Sequence, residues 1–483
     1  MGKENNSRMS GEGDMSRRVR GDAVPSGRRG WWRWAAAAVM LLVTAVMVGK
    51  FLRHDYKDAE VWYDAGRRVL AGETLAGLPH YRYPPTFAVL VAPLTALGFA
   101  PFFFLWYGLN VGLFGASVLL TGKLTLGPRP ASPGGGVRTS PPFPLSKSGE
   151  GGAGGGDEEL PRSASRLGHS LVLPVALVAV YAIDTLFLGQ TNILIMALVY
   201  WAFLADLRGR QWTAGGPLGA AIAIKVFPVP LLAYFLYRRR YGVVASGVLW
   251  SLFFLFVLPG VVRGFGRNAQ EVGEWSDRVA VPFVSHGRAG DWGQHSLDFG
   301  NQSLPAVARR FLTRVNAQVA AREGPGIYVN IAELGDRATG AIVLGLSLLL
   351  ALVFAYACGW RATDDPVRRA TEYALATTLL LLTSALSWTY FFVMLLAPTT
   401  AAVLLLGERE RLGRWPERML QASLMGLGAA TVLLASQYAR AVGCVFWASL
   451  LLFVSLVVAA VELRRGARGA LRARESSPRL RSA

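Results

Sequence analysis

Charge and cysteine are what this chain has least of. Only 17% of its 483 residues are Asp, Glu, Lys or Arg, while 52% are hydrophobic, and the mean hydropathy is +0.35. Soluble domains carry about 25% charged residues, so the composition argues against a cytosolic enzyme. The two cysteines, Cys358 and Cys444, exclude a disulfide framework and a cysteine zinc cluster. No H-E-x-x-H, P-loop or paired-cysteine pattern occurs, and the five histidines (His54, His80, His169, His286, His295) do not share a helix face. Neither a metal site nor a cofactor is expected.

Apolar runs near 20 residues, by contrast, recur along the chain, each long enough to cross a hydrocarbon layer of about 30 Å. They predict an all-α, polytopic integral membrane protein. The crossings are read at 33–52, 101–122, 169–187, 191–207, 242–262, 337–358, 370–389, 391–406, 419–437 and 443–463. A further apolar stretch, 214–237, is broken by Lys225, Pro228 and Pro230 and flanked by Arg208 and Arg210 on one side and Arg238, Arg239 and Arg240 on the other. Basic residues at both ends predict a re-entrant hairpin, and a helix broken in this way needs protein or a cavity to cover its freed backbone groups. Segments 58–71 and 84–97 are expected as juxtamembrane helices.

Around these runs the chain divides into a basic tail (1–30), the first span, loop and second span (31–125), an insert (126–168), a membrane core (169–406) with a large loop (263–337), a C-terminal hairpin (407–463) and a basic tail (464–483). The run from Trp31 reads as an anchor rather than a cleaved signal peptide. The insert is rich in Gly, Pro and Ser and is expected to be disordered. No internal repeat is evident.

The net charge of +19 is unevenly placed. The two loops 53–84 and 263–337 together carry +1, whereas the tails, the insert and the remaining connections carry +17. The positive-inside rule then puts both termini in the cytoplasm and the two loops in the periplasm or outside the cell, with the protein in the inner (plasma) membrane. The basic charge is thus a topology signal and an attraction to anionic membrane lipids. It is not a nucleic-acid footprint.

Ionisable groups inside apolar segments are costly and mark candidate sites. Asp184 precedes Gly189-Gln190-Thr191-Asn192, a polar break between two spans. Lys225 interrupts GGPLGAAIAIKVFPVP, where it either holds an anion or pairs with Asp184 or Glu372; Glu372 itself reads as an interfacial charge. Asp55 and Asp58 lie three apart in the first loop, on one face of a helix, where the bland reading is solvation. The second loop carries Asn301-Gln302-Ser303, a glycosylation pattern common by chance. Beyond it lie Trp388 and Tyr390, an aromatic pair typical of a membrane boundary.

Taken in order, DAEVWYDAGRRVLAG, YRYPPTFAVLVAPL, LGQTN, AGGPLGAAIAIKVFP, NQSL and LSWTYFFVMLLAP resemble glycosyltransferase family 87 over residues 35–406. These are membrane enzymes of the GT-C class that use polyprenyl-phosphate sugars, among them α-mannosyltransferases. The resemblance implies a catalytic Asp on the first loop: Asp58, with Asp55 as the fallback. It would act as the base that takes the proton from an acceptor hydroxyl as that hydroxyl attacks the anomeric carbon with inversion. Lys225, then Arg82, would hold the donor phosphate. Tyr390 stands where relatives often carry a histidine, so it brings a hydrogen bond without positive charge. Asp184, Gln190, Asn192, Asn301, Gln302 and Trp388 are expected to bind substrate. The implied partners are a polyprenyl-phosphate hexose, most simply mannose, and an extracytoplasmic lipid or glycan acceptor. A secondary transporter or lipid flippase is the alternative, and a membrane scaffold with decayed catalytic residues a third.

Overall fold

The computed structural model describes residues 45, 48, 49, 52, 53, 58–125, 159–281, 295–319, 326–360, 363 and 365–475. The chain falls into two units, Met1–Asp55 and Tyr56–Ala483, and the second carries the helical core and the candidate site. Most of the predicted first crossing, and Asp55, lie outside the described residues.

The protein is an all-α polytopic membrane protein. Among the described residues six helices are long and apolar enough to cross a membrane: Phe99–Thr125, Leu171–Leu188, Tyr241–Arg263, Asp336–Cys358, Thr389–Gly407 and Cys444–Gly466. The segments predicted at 191–207, 370–389 and 419–437 form Asn192–Leu207, Pro366–Thr383 and Arg414–Leu433, which are shorter or more polar than those six. Helix Glu159–Leu188 begins within the segment expected to be disordered. Its start places a glutamate and Pro161 in the first turn, where a proline forfeits no helical hydrogen bond. Residues 126–158 of that insert lie outside the described residues.

The broken stretch forms two helices, Gln211–Ile224 and Pro230–Tyr237, with Lys225 extended at the break (φ −147°, ψ 107°). Its flanks meet: Arg240 Nε lies 3.5 Å from Asp206 Oδ1, and the Gly242 N–H donates to Gln211 Oε1 at 3.1 Å. The chain therefore enters and leaves this hairpin at the same end of the bundle. Glycines make the hairpin fit against its neighbour. A Cβ at Gly215 would sit 1.9 Å from Ser246 Oγ, and one at Gly219 would sit 2.6 Å from Trp250 Cβ. Such small residues let membrane helices approach to backbone contact.

Helix Tyr241–Arg263 widens into a π turn at Phe253–Val257, ahead of Pro259. Proline has no N–H to offer the preceding turn, and carbonyls left open in a membrane need other donors. Thr86 Oγ1 donates to the Phe254 carbonyl at 2.7 Å, and Asn268 Nδ2 donates to those of Leu255 and Phe256 at 3.0 and 3.3 Å. The π turn is thereby pinned to the Pro85–Thr95 and Phe265–Trp275 helices.

The segments grouped by charge in the sequence also group in space. At one end Arg238 pairs with Glu372 at 3.0 Å, while Arg369 and Arg240 converge on Asp206 at 3.0 and 3.5 Å. Glu372 is buried there, not the interfacial charge expected, because Arg238 accompanies it out of water. At the other end Leu75 N–H donates to Glu271 at 3.1 Å and Trp275 Nε1 donates to the Arg82 carbonyl at 3.0 Å, which ties loop 71–84 to Phe265–Trp275. Helix Asn192–Leu207 runs between the two ends, and its 16 residues span roughly 24 Å.

Candidate active site

The site grows from two short sequence features, the start of helix Asp58–Leu70 and the turn Gly189-Gln190-Thr191. The helix buries Ala59, Trp62, Ala65, Gly66 and Val69, a stripe at the 3–4 residue spacing of one helical face. Leu70, at the end of the same helix, is exposed. Gly66 packs on helix Pro85–Thr95, where an added Cβ would meet Thr95 at 2.5 Å. Trp62 Nε1 and Trp106 Nε1 both donate to the Gly189 carbonyl at 2.9 Å. Gly189 has φ +72°, and a Cβ there would lie 3.2 Å from Ala59. Only glycine suits both the left-handed backbone and the close approach.

That turn delivers three consecutive polar side chains. Gln190 Nε2 donates to Asp58 Oδ2, while its Oε1 accepts from the Tyr83 hydroxyl at 3.2 Å. Tyr83 OH also bonds Thr191 Oγ1 at 2.9 Å. Asn192 Oδ1 accepts from Lys225 Nζ at 2.7 Å. The ammonium lies 4.0 Å from the Phe391 ring centroid, 5.5 Å from that of Tyr83 and 6.0 Å from that of Tyr390. Lys225 feels the Asp58 carboxylate, and Tyr390 feels both Asp58 and Asp184. Burial, with the Asp58 charge beside it, pushes the Tyr83 phenol up, so that it stays a donor. Asp58, Gln190, Asn192, Lys225 and Tyr390, chosen from scattered segments, thus meet in one place. Tyr83, Thr191 and Phe391 join them; the YPP and LGQTN motifs carried the first two without assigning them a role.

The Lys225 end has spare donors. An ammonium only donates, so the Asn192 carboxamide must turn its oxygen to Lys225, and its NH2 group is buried with no partner. Asn192 also opens a 16-residue helix whose preceding residue, Thr191, supplies no side-chain cap. Open N–H groups and the helix dipole make such an end attractive to an anion.

The other predicted residues lie elsewhere or serve the frame. Asp184 Oδ2 accepts from Thr389 Oγ1 at 2.9 Å. Arg82 offers its carbonyl to Trp275. Asn301 is buried: its NH2 donates to the Ser296 and Ala385 carbonyls at 2.8 and 2.9 Å, and its oxygen accepts from the Ser387 N–H at 2.9 Å. Gln302 reaches the Phe299 and Arg440 carbonyls at 2.6 and 2.7 Å. Trp388 is bridged to Asn301 and packs on Gly300. Among the described residues no group of three or more His, Cys, Asp or Glu could hold a metal ion.

A polar cluster with one carboxylate, one ammonium and open anion donors suits group transfer from a phosphate. The family model of glycosyltransferase family 87 matches residues 81–385. The chain belongs to glycosyltransferase family 87. It is accordingly a membrane glycosyltransferase. The matched residues take in Gln190, Asn192 and Lys225, whereas Asp58, Trp388 and Tyr390 fall beyond their ends. Comparison with curated proteins and with solved structures gives no match.

Proposed function

We propose that this family 87 glycosyltransferase moves a hexose, mannose in the first instance, from a polyprenyl-phosphate donor to a lipid or glycan acceptor outside the cytoplasm, with inversion. The observation that carries the reading is the convergence of Asp58, Tyr83 and Lys225 on three consecutive residues, Gln190, Thr191 and Asn192 in that order. The acceptor hydroxyl attacks the anomeric carbon, its proton passes to Asp58, and the bond from that carbon to the phosphate oxygen breaks. One carboxylate suffices because the phosphate leaves without prior protonation; glycosidases need two. Gln190 holds the Asp58 carboxylate in place, and general-base catalysis requires that carboxylate within hydrogen-bond reach of the acceptor.

The departing polyprenyl phosphate gains charge. Lys225, the Asn192 amide and the helix N-terminus stabilise that charge most where water is scarce. The uneven charge of the two bundle ends supports an orientation with Asp58 outside and Glu372 inside.

The test is transfer of labelled sugar from synthetic polyprenyl-phosphate mannose to a membrane lipid extract by the protein in nanodiscs, with polyprenyl-phosphate glucose as competitor. The reading expects an inverted product and weak competition. Label that crosses a vesicle membrane without changing its bond to phosphate would favour the flippase instead.

A further inference from the structure

The two turns that lead into and out of the broken hairpin, Arg208-Gly209-Arg210 and Arg238-Arg239-Arg240, are built alike and filled differently. In the first, the three N–H groups donate to the carbonyls of Leu204, Asp206 and Ala205 at 3.1, 2.9 and 2.9 Å. In the second they donate to those of Tyr234, Leu236 and Phe235 at 3.0, 2.9 and 2.9 Å, the same offsets along the chain. The middle residue is left-handed in both, with φ +76° at Gly209 and +56° at Arg239. Glycine takes that conformation readily, whereas a residue with a side chain is strained there. The second turn thus keeps an arginine where its own backbone favours glycine.

The Arg239 guanidinium lies 4.9 Å over the Trp360 ring. Trp360 follows the end of helix Asp336–Cys358 and is 70% exposed; Tyr356, in the last turn of that helix, is 61% exposed. Arg464, from helix Cys444–Gly466, lies 4.8 Å over the Tyr356 ring and crosses Gly359, where an added Cβ would sit 2.9 Å from its Nη1. Both guanidiniums therefore rest on one stretch, 356–360. Their neighbours are already paired. Arg238 and Arg368 reach Glu372 at 3.0 and 3.9 Å, Arg240 and Arg369 reach Asp206 at 3.5 and 3.0 Å, and Arg465 reaches Glu462 at 2.8 Å. Among the described residues the Arg239 side chain makes no hydrogen bond or ion pair, and Arg464 gives one donor to the Tyr356 carbonyl.

A guanidinium lying on a ring keeps its N–H edge free, in the planar fork that fits two phosphate oxygens. Trp and Tyr at the end of a membrane helix sit at headgroup level, and basic groups between such helix ends suit anionic headgroups. We propose that Arg239 and Arg464 hold the phosphate of an anionic phospholipid, with Trp360 and Tyr356 against its glycerol and upper acyl region. Charge complementarity selects this occupant. Glu372, Asp206 and Glu462 each hold an arginine already, which leaves none of them for the ammonium of a zwitterionic lipid. Tyr237 OH donates to the Ala355 carbonyl at 3.0 Å and Arg238 Nη1 to that of Gly359 at 2.8 Å. The lipid thus sits on the seam between helix Asp336–Cys358 and the hairpin that carries Lys225.

The experiment titrates the full chain in neutral detergent with dioleoylphosphatidylglycerol, dioleoylphosphatidylcholine or inorganic phosphate and counts bound molecules by native mass spectrometry. The wild type should retain one phosphatidylglycerol more tightly than phosphatidylcholine. Arg239→Gly and Arg464→Gln should each weaken that binding by about tenfold or more, the loss typical of a hydrogen bond to a charged group. Arg239→Lys should weaken it less, and Arg414→Gln, at an exposed arginine outside the site, should leave it unchanged. Because Arg239→Gly relieves the left-handed residue, its thermal stability without lipid should equal or exceed that of the wild type, which separates lost binding from lost folding. A less stable Arg239→Gly would show that the side chain serves the fold and would overturn the argument from strain. Equal retention of the two lipids, or phosphatidylglycerol binding unchanged in both variants, overturns the site. Phosphate bound as tightly as the lipid would make it a free-anion site, and a dimer lost in Arg239→Gly would make it an interface between copies; either result also overturns the lipid.

Discussion

The group around Asp206 and Glu372 and the group around Asp58 and Lys225 use charge in opposite ways. Around Asp206 and Glu372, carboxylates and guanidiniums contact one another, with Arg238 to Glu372 at 3.0 Å and Arg369 to Asp206 at 3.0 Å. Tyr373 closes the Asp206 group with a hydrogen bond of 2.6 Å. Around Asp58 and Lys225, charged groups bond to amides or lie on aromatic rings instead, and donors such as the Asn192 NH2 stay open. Buried ions that find each other hold a fold together, while ions held apart by neutral partners keep their capacity for a ligand. The comparison marks the Asp58 and Lys225 group as the candidate site without any appeal to the family, and the family match makes it a candidate for sugar transfer.

If that contrast is correct, Glu372→Ala should act on stability. Removing one member of a buried pair costs about 3–5 kcal/mol because the other charge is stranded. Thermal unfolding in detergent should show that loss, with farnesyl phosphate affinity per folded molecule unchanged. A variant of full stability with impaired binding would break the contrast. A smaller effect is expected from Asn301→Ala. It strands the Ser387 N–H at about 1–3 kcal/mol, while the Ala385 carbonyl keeps Ser303 Oγ at 3.3 Å, and so should loosen segment 385–389, seen as faster hydrogen exchange there. An exchange profile matching the wild type would show that the staple is unnecessary. The least costly change sharpens the orientation. In a cysteine-free background, Ala71→Cys should react with an impermeant thiol reagent in intact cells and Arg414→Cys only after permeabilisation; the reverse order would turn the protein over.

Much of the architecture was legible in the sequence because membrane spans are local and charge segregation is additive. The hairpin broken at Lys225 could be read from its arginine flanks alone. The site was legible only by residue type. Asp58 and Gln190 are 132 residues apart, and no periodicity says that one amide will hold the other's carboxylate. For the same reason Gln190 was read as touching substrate, Asn301 and Gln302 as site residues rather than staples, and Glu372 as interfacial.

The central claim is that Asp58 and Lys225 serve one reaction with separate tasks. Its most direct test is donor Kd beside single-turnover transfer for Asp58→Asn and Lys225→Met, with Asp55→Asn as the control. The account predicts that Asp58→Asn keeps donor affinity and loses roughly 10²–10⁴-fold in transfer. Lys225→Met should lose both, because its contact with phosphate already exists in the bound donor and strengthens as the bond breaks, while Asp55→Asn should be mild. Wild-type transfer by Asp58→Asn, with donor binding indifferent to Lys225, would contradict it.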